Sequence, residues 1–186
     1  MKRIAATVLA IVMLTGCTGK RDELDRVMAL RAKLLACESC CFQAEITADY
    51  GDSLHSFGMD CMGDNDGNLS FTVTKPESIY AITGKFEAEE GKLTFDDTAI
   101  VFPLLADGQV TPVSGPWIFL KTLMGGYLTS CVNEDNLLRV SIDDSFEDDA
   151  LQLDIWFDCE DKPLRAEIFY DNRRIVTMDI KDFEIL

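Results

Sequence analysis

Histidine and positive charge are scarce in this 186-residue sequence, which has one His and 17 Lys or Arg residues against 33 Asp or Glu residues. The single histidine, His55, stands in a polar stretch, which is more typical of a surface residue than of a general base. The sequence also lacks a Gly-x-Ser-x-Gly motif, a phosphate-cradling glycine loop and the His/Glu spacing of a zinc enzyme. We therefore expect a protein that is not an enzyme and holds no metal or cofactor. The formal net charge of −16 repels phosphate backbones, so nucleic acid is not an expected partner.

A hydrophobic run long enough to span a bilayer is missing as well. Lys2 and Arg3 precede an uncharged apolar run, residues 4–14, which has the length of a signal-peptide core. Leu14-Thr15-Gly16-Cys17 follows, and these four residues resemble the bacterial lipobox, in which the cysteine sulfur receives a diacylglycerol. The alternative is an ordinary secretory signal in which Cys17 is incidental.

The lipobox divides the chain into three predicted parts: a lipoprotein signal peptide (1–16), a short tether (17–21) and a single binding domain (22–186). We predict that acyl chains such as palmitate on Cys17 anchor the protein to the cell membrane on its extracytoplasmic face, within the cell envelope.

Six cysteines remain once Cys17 is assigned to the lipid, and an even number in an exported protein permits up to three disulfides. Cys37 and Cys40 have CxxC spacing, but the sequence has neither a second such pair nor the histidines of a zinc site. No βαβ pattern surrounds them, which argues against a thioredoxin-like site. We expect structural disulfides or buried free thiols. The candidate pairs are Cys61 with Cys40 or Cys41, and Cys131 with Cys159.

The periodicity of apolar residues predicts a helix followed by strands. Residues 22–36 carry one helical stripe, formed by Leu24, Val27, Met28, Arg31, Leu34 and Leu35. We expect this helix either to dock as a packing helix or to form one wall of a ligand cavity. From Phe42 onwards apolar residues alternate with polar ones, which is typical of strands with one wet face. The acidic segment 64–68 is expected to be a hairpin turn centred on Asp66-Gly67; a calcium loop is the rival interpretation.

A strongly apolar segment interrupts the strands. Pro116 suits the first turn of a helix, Trp117 and Leu120 share helical spacing, and Gly125-Gly126 marks its end. Alternation resumes at Leu138 and continues almost to the last residue. The predicted fold class is α+β: a curved antiparallel sheet of about ten strands, forming an incomplete barrel, with the N-terminal helix and the inserted apolar helix on its concave face.

This order of elements resembles the LolA/LolB-like lipoprotein-carrier superfamily, and the resemblance covers nearly the whole chain after Cys17. The local motifs that carry it are residues 71–77, a strand that runs into a proline; Phe95-Asp96; Pro116 before the apolar helix; and a final strand that ends in Asp182-Phe183. The chain is most similar to carrier-like lipoproteins of Gram-positive clostridia, a group that includes the germination lipoprotein of spore formers. The resemblance implies a half-barrel fold and either a lipid or another exported protein as ligand.

Two functions are expected from these observations. In the first, the half-barrel cavity binds a hydrophobic ligand, an acyl chain or a lipoprotein. The candidate walls are Phe42, Ile46, Phe57, Phe71, Ile82, Trp117, Leu120 and Leu123. In the second, the same residues form a packed core, and the protein is a tethered adaptor that binds and regulates an exported enzyme or envelope protein through its outer surface.

Overall fold

Two helices and two antiparallel sheets form the fold in the computed structural model, which describes residues 19–49, 51, 54–87, 90–95, 98–103, 105–106 and 109–186. Helix α1 spans Gly19–Ala36 and helix α2 spans Gly115–Gly125. Single 3-10 turns occupy Glu77–Ile79 and Pro112–Ser114. Cys17 and the predicted signal peptide lie outside the described residues.

Within the described ranges, eleven strands form one open sheet in the order β6-β5-β4-β3-β2-β1-β13-β12-β11-β10-β9, and β7 and β8 form a separate two-stranded sheet. The strands are β1 (Ser39–Asp49), β2 (Leu54–Asp64), β3 (Leu69–Lys75), β4 (Thr83–Glu87), β5 (Glu90–Phe95), β6 (Thr98–Pro103), β7 (Leu105–Ala106), β8 (Gln109–Val110), β9 (Tyr127–Glu134), β10 (Leu137–Asp143), β11 (Gln152–Phe157), β12 (Pro163–Tyr170) and β13 (Arg173–Ile185). The predicted curved antiparallel sheet, with an N-terminal and an inserted helix, is confirmed.

The alternation of apolar and polar residues gives the large sheet an inner face, which packs against the helices, and an outer face. In β1, Phe42, Ala44, Ile46 and Ala48 are buried on the inner face, while Gln43 and Glu45 are exposed on the outer one. The first and last parts of the chain meet at the centre of the sheet, because β1 pairs with both β2 and β13.

Helix α2 packs against the inner face of the large sheet. Nine of its eleven residues are buried, which is expected of a helix that is apolar around most of its circumference. Two glycines of the sheet allow neighbouring side chains to approach the strand backbone closely on the inner face. A Cβ atom at Gly63 would lie 2.1 Å from Cδ2 of Leu120, and one at Gly84 would lie 2.2 Å from Cζ of Phe71. The core is therefore packed tightly enough to require the absence of these two side chains.

Helix α1 departs from the prediction in two respects. It begins at Gly19, so the last three residues of the predicted tether are helical. Its buried residues are Val27, Leu30, Arg31 and Leu34, whereas Leu24, Met28 and Leu35 of the predicted stripe are exposed. The periodicity identified the apolar arc correctly, but the tertiary structure covers only half of it. No helix in the described part of the chain has the length and hydropathy that a membrane span requires.

Candidate functional site

The eight predicted ligand-binding residues lie in one apolar cluster on the inner face of the sheet. Six of them are buried, and the most accessible of these six, Trp117, is 8% exposed. Phe57 and Ile82 are partly buried at the margin of the cluster. The eight residues thus come together in the fold, and their role in ligand binding stays a prediction.

Aromatic rings fill the space between these residues. The ring centroids of Phe42 and Phe119 are 5.5 Å apart in an edge-to-face arrangement, and those of Phe71 and Phe86 are also 5.5 Å apart. The indole N–H of Trp117 donates a hydrogen bond of 3.0 Å to the carbonyl oxygen of Gly67, which fixes the start of α2 over the β2–β3 turn. Phe119 and Phe86 were not among the predicted ligand-binding residues, although both belong to apolar segments of the sequence. Among the described residues, the inner face is a packed core.

A concavity of about 550 Å³ lies on the opposite, outer face of the sheet and crosses five neighbouring strands, from β13 through β1, β2 and β3 to β4. We call it the outer groove. Its outward-facing lining residues are Cys41, Gln43, Asp60, Met62, Ser70, Thr72, Thr83, Asp182 and Glu184. None of them was among the predicted ligand-binding residues. Apart from Cys41, a disulfide candidate, they had no predicted role beyond that of outward-facing residues on separate strands.

Strand register builds the floor of the outer groove. Met62 lies opposite Cys41 of β1 on one side and Ser70 of β3 on the other. The Met62 residue is 52% exposed, although it stands at the centre of a sheet rather than at an edge. Together with the half-buried Cys41, it gives the groove an apolar floor within a polar surface.

A β-bulge forms one wall of the outer groove. Cys41 lies opposite Glu184 and Gln43 opposite Lys181, so the two residues Asp182 and Phe183 together face Phe42 alone. Asp182 has a φ angle of 51°, a left-handed conformation that aspartate adopts more readily than most residues. A bulge of this kind bends its strand and redirects side chains. Phe183 turns into the core, while Asp182 and Glu184 both line the groove.

Three carboxylates around the apolar floor have no cationic partner among the residues that the structure describes. Asp60, Asp182 and Glu184 are exposed and form no ion pair with any described residue. The lysine of the same bulge region is already engaged, because Lys181 Nζ lies 3.0 Å from Oε1 of Glu45. That hydrogen bond, together with a similar one from Lys75, lowers the pKa of Glu45. The outer groove therefore carries uncompensated negative charge.

On the other half of the outer face, two buried carboxylates are paired with arginines of the sheet. Arg139 Nη2 lies 2.6 Å from Oδ2 of Asp154, whose side chain is only 2% exposed. The hydrogen bond to Asp154 raises the pKa of Arg139. Arg174 and Arg165 both contact Oε1 of the buried Glu167. The carboxylates of Asp154 and Glu167 are thus paired with arginines, in contrast to Asp60, Asp182 and Glu184 of the groove.

All six described cysteines have free thiols. The expected pairing of Cys131 with Cys159 does not fit the topology. Cys131 lies on β9, Cys159 follows β11, and β10 separates the two strands. Cys40 and Cys61 do lie on adjacent strands: Cys40 faces Gly63 and Cys61 faces Phe42, so the two thiols are diagonal neighbours on the inner face. Cys41 instead faces the outer groove.

Burial determines the chemistry of the inner thiols. Desolvation raises the pKa of Cys40 to about 12 and also raises the pKa of Cys61, because both thiolates would lie in an apolar environment. The thiolate is the reactive form of cysteine. These two thiols should therefore be inert in the folded chain.

We expect alkylation of the reduced, folded protein by iodoacetamide to follow this order. Cys159, which is exposed in a turn, should react at least about tenfold faster than Cys40 or Cys61. Peptide mapping by mass spectrometry measures the rates, and unfolding in urea should make all three similar. Equal rates in the folded protein would contradict the burial described above.

Comparisons with known proteins concern the fold. No protein-family model matches the sequence, and no curated protein matches it either. Similar solved structures include a LolA superfamily protein from Nitrosomonas europaea, with 9% identity, a TM-score of 0.43 and coverage of 86% of this chain and 93% of that one. A putative outer membrane lipoprotein-sorting protein domain from Vibrio parahaemolyticus has 8% identity, a TM-score of 0.49 and coverage of 89% and 92%.

A third similar structure is that of the CwlD amidase from Clostridioides difficile in complex with the GerS lipoprotein. The matched chain has 12% identity, a TM-score of 0.44 and coverage of 88% of this chain and 96% of that one. The architecture of the present chain is established by its own strand order.

Proposed function

We propose that this chain is a membrane-tethered binding protein without catalytic activity, anchored through acylated Cys17, which docks a basic segment of an exported protein in its outer groove. The observation that carries the proposal is that the inner face of the sheet is packed, whereas the outer face has an open groove. Helix α2, with nine of its eleven residues buried, packs against the inner face, where an acyl chain would have to enter, and the outer face has an open hollow.

The chemistry of the outer groove defines the occupant. An apolar floor at Met62 and Cys41 suits an aliphatic or aromatic side chain. Asp60, Asp182 and Glu184 suit arginine or lysine, because a cation on the partner would supply the charge that the chain itself does not. A protein segment that combines both kinds of side chain matches the groove.

Site-directed photocrosslinking in the producing cells tests this proposal. With p-benzoylphenylalanine replacing Met62, we expect one exported protein to be crosslinked in stoichiometric yield. The same photoreactive residue replacing Phe146, which is exposed in the β10–β11 loop, should not capture it. The captured peptide, identified by mass spectrometry, should contain lysine or arginine.

Charge reversal supplies the matched control. We expect Asp60→Lys with Glu184→Lys to weaken capture at least about tenfold, because like charges then face each other. Asp148→Lys with Asp149→Lys makes the same change in charge on an exposed loop and should leave capture unchanged. Equal effects of the two double variants would contradict docking in the groove. Saturable 1:1 binding of a fluorescent fatty acid by the folded protein would instead favour the hydrophobic-ligand function.

A further inference from the structure

Helix α1 exposes an apolar stripe that no described residue covers. At about 100° per residue, the apolar arc of this helix spans roughly 200°, but the core buries only about half of it. The exposed half consists of Leu24, Met28, Ala32 and Leu35, which follow one another along a single line of the helix surface. The three larger residues are 42%, 49% and 54% exposed. No charged residue stands on this line between Leu24 and Leu35, and Arg21 continues it one turn nearer the start of the helix.

We propose that this stripe rests on the lipid bilayer, so that α1 lies flat on the membrane and orients the whole domain. The proposal depends on acylation of Cys17, which holds the start of the helix at the membrane. Thr18 is the single residue between Cys17 and Gly19, so the Cα atoms of these two residues lie within about 7 Å of each other. The helix therefore begins at the lipid–water interface.

The length of α1 and the direction of its stripe favour a flat orientation. Eighteen residues give a helix of about 27 Å, and an upright helix would leave Leu35 far from the membrane, with all four stripe residues in water. A flat helix brings the four residues to the depth at which interfacial helices bury their apolar faces. Because the chain carries a net charge of −16, the contact is one of apolar side chains with lipid rather than of cations with headgroups.

The test is photocrosslinking of the full, acylated chain in vesicles of pure phosphatidylcholine. With p-benzoylphenylalanine replacing Ala32, inside the stripe, we expect crosslinks to phospholipid acyl chains. The same residue replacing Lys33 is the matched control, because this exposed position lies one residue further along and about 100° around the helix. We expect its lipid yield to be at least about tenfold lower.

Removal of the stripe provides the second comparison. Leu24→Gln, Met28→Gln and Leu35→Gln together should abolish the lipid crosslink at residue 32, while the unfolding midpoint stays unchanged because all three side chains are exposed. Equal lipid yields at residues 32 and 33, or crosslinks at residue 32 to protein alone, would overturn the proposal. The intact mass of each sample shows whether Cys17 is acylated, and so separates failure of the anchor from failure of the stripe to contact lipid. A chain without acyl groups on Cys17 refutes the anchor and the membrane stripe together, whereas an acylated chain without the crosslink refutes only the stripe.

Discussion

Replacing Phe119 by alanine is expected to lower the free energy of unfolding by about 3–5 kcal/mol, the range typical of large aromatic residues truncated in a core. Phe119 is completely buried in α2. Its ring contacts Phe42 of β1 at 5.5 Å and Phe183 of β13 at 6.4 Å, both in edge-to-face geometry. The variant loses the transfer free energy of the ring and leaves a cavity beneath the two central strands of the sheet.

Urea denaturation followed by tryptophan fluorescence measures this loss. Phe146→Ala is the matched control, because this phenylalanine is 81% exposed and contacts only the ring of Tyr127 among the described aromatic residues, so its removal should change the free energy of unfolding by less than about 1.5 kcal/mol. Similar effects of the two substitutions would show that α2 is not the centre of the core. They would also reopen the inner face as a ligand cavity.

The second large effect is a loss of stability at alkaline pH. In the unfolded chain the thiol of Cys40 ionises near its ordinary pKa of 9.0, whereas burial raises the pKa of the folded thiol to about 12. Between these values the folded chain binds one more proton than the unfolded chain. The free energy of unfolding therefore falls as the pH rises through this window, by about 1.4 kcal/mol per pH unit. Cys61, whose pKa burial also raises, adds to the fall in the same direction.

Urea denaturation at pH values from 8 to 11 isolates the contribution of the two thiols. The double variant Cys40→Ala with Cys61→Ala should be less stable at pH 8, because it leaves cavities, but its stability should fall less steeply with pH. Cys159→Ala removes an exposed thiol instead and should retain the slope of the unchanged chain. Parallel pH profiles for the double variant and the unchanged chain would contradict the buried state of the two thiols.

Much of the fold could be predicted because strands such as β1, β3 and β10 bury one face. The alternation at Phe42, Ala44 and Ile46 determines which side of β1 faces the core. Pro116 and Gly125-Gly126 mark the two ends of helix α2 to within one residue. Strand β9 was not predicted. It lies at the edge of the sheet, most of its side chains are exposed, and its sequence therefore has no regular apolar alternation.

The candidate site was much less predictable than the fold. The inner cluster could be predicted because its apolar residues follow the periodicity of strands and helices. The sequence could not show whether the cluster encloses a cavity or is filled by side chains. The outer groove depends on the register between Gln43, Asp60, Thr72 and Thr83, which lie on four strands joined by separate turns. Each of these residues alone is an ordinary solvent-facing residue of a strand. Only pairing of the strands makes them neighbours.

The bulge at Asp182 forms because β13 has one more residue than β1 at this point, and this extra residue supplies one wall of the outer groove. Deletion of Asp182 alone would leave Phe183 opposite Phe42 in a regular ladder, with the pairs on either side intact. The core and the strand order would remain, but the wall that Asp182 supplies would be gone. A site of this kind is gained or lost by insertion or deletion of one codon. Relatives with the same fold can therefore differ in the groove while every core position aligns.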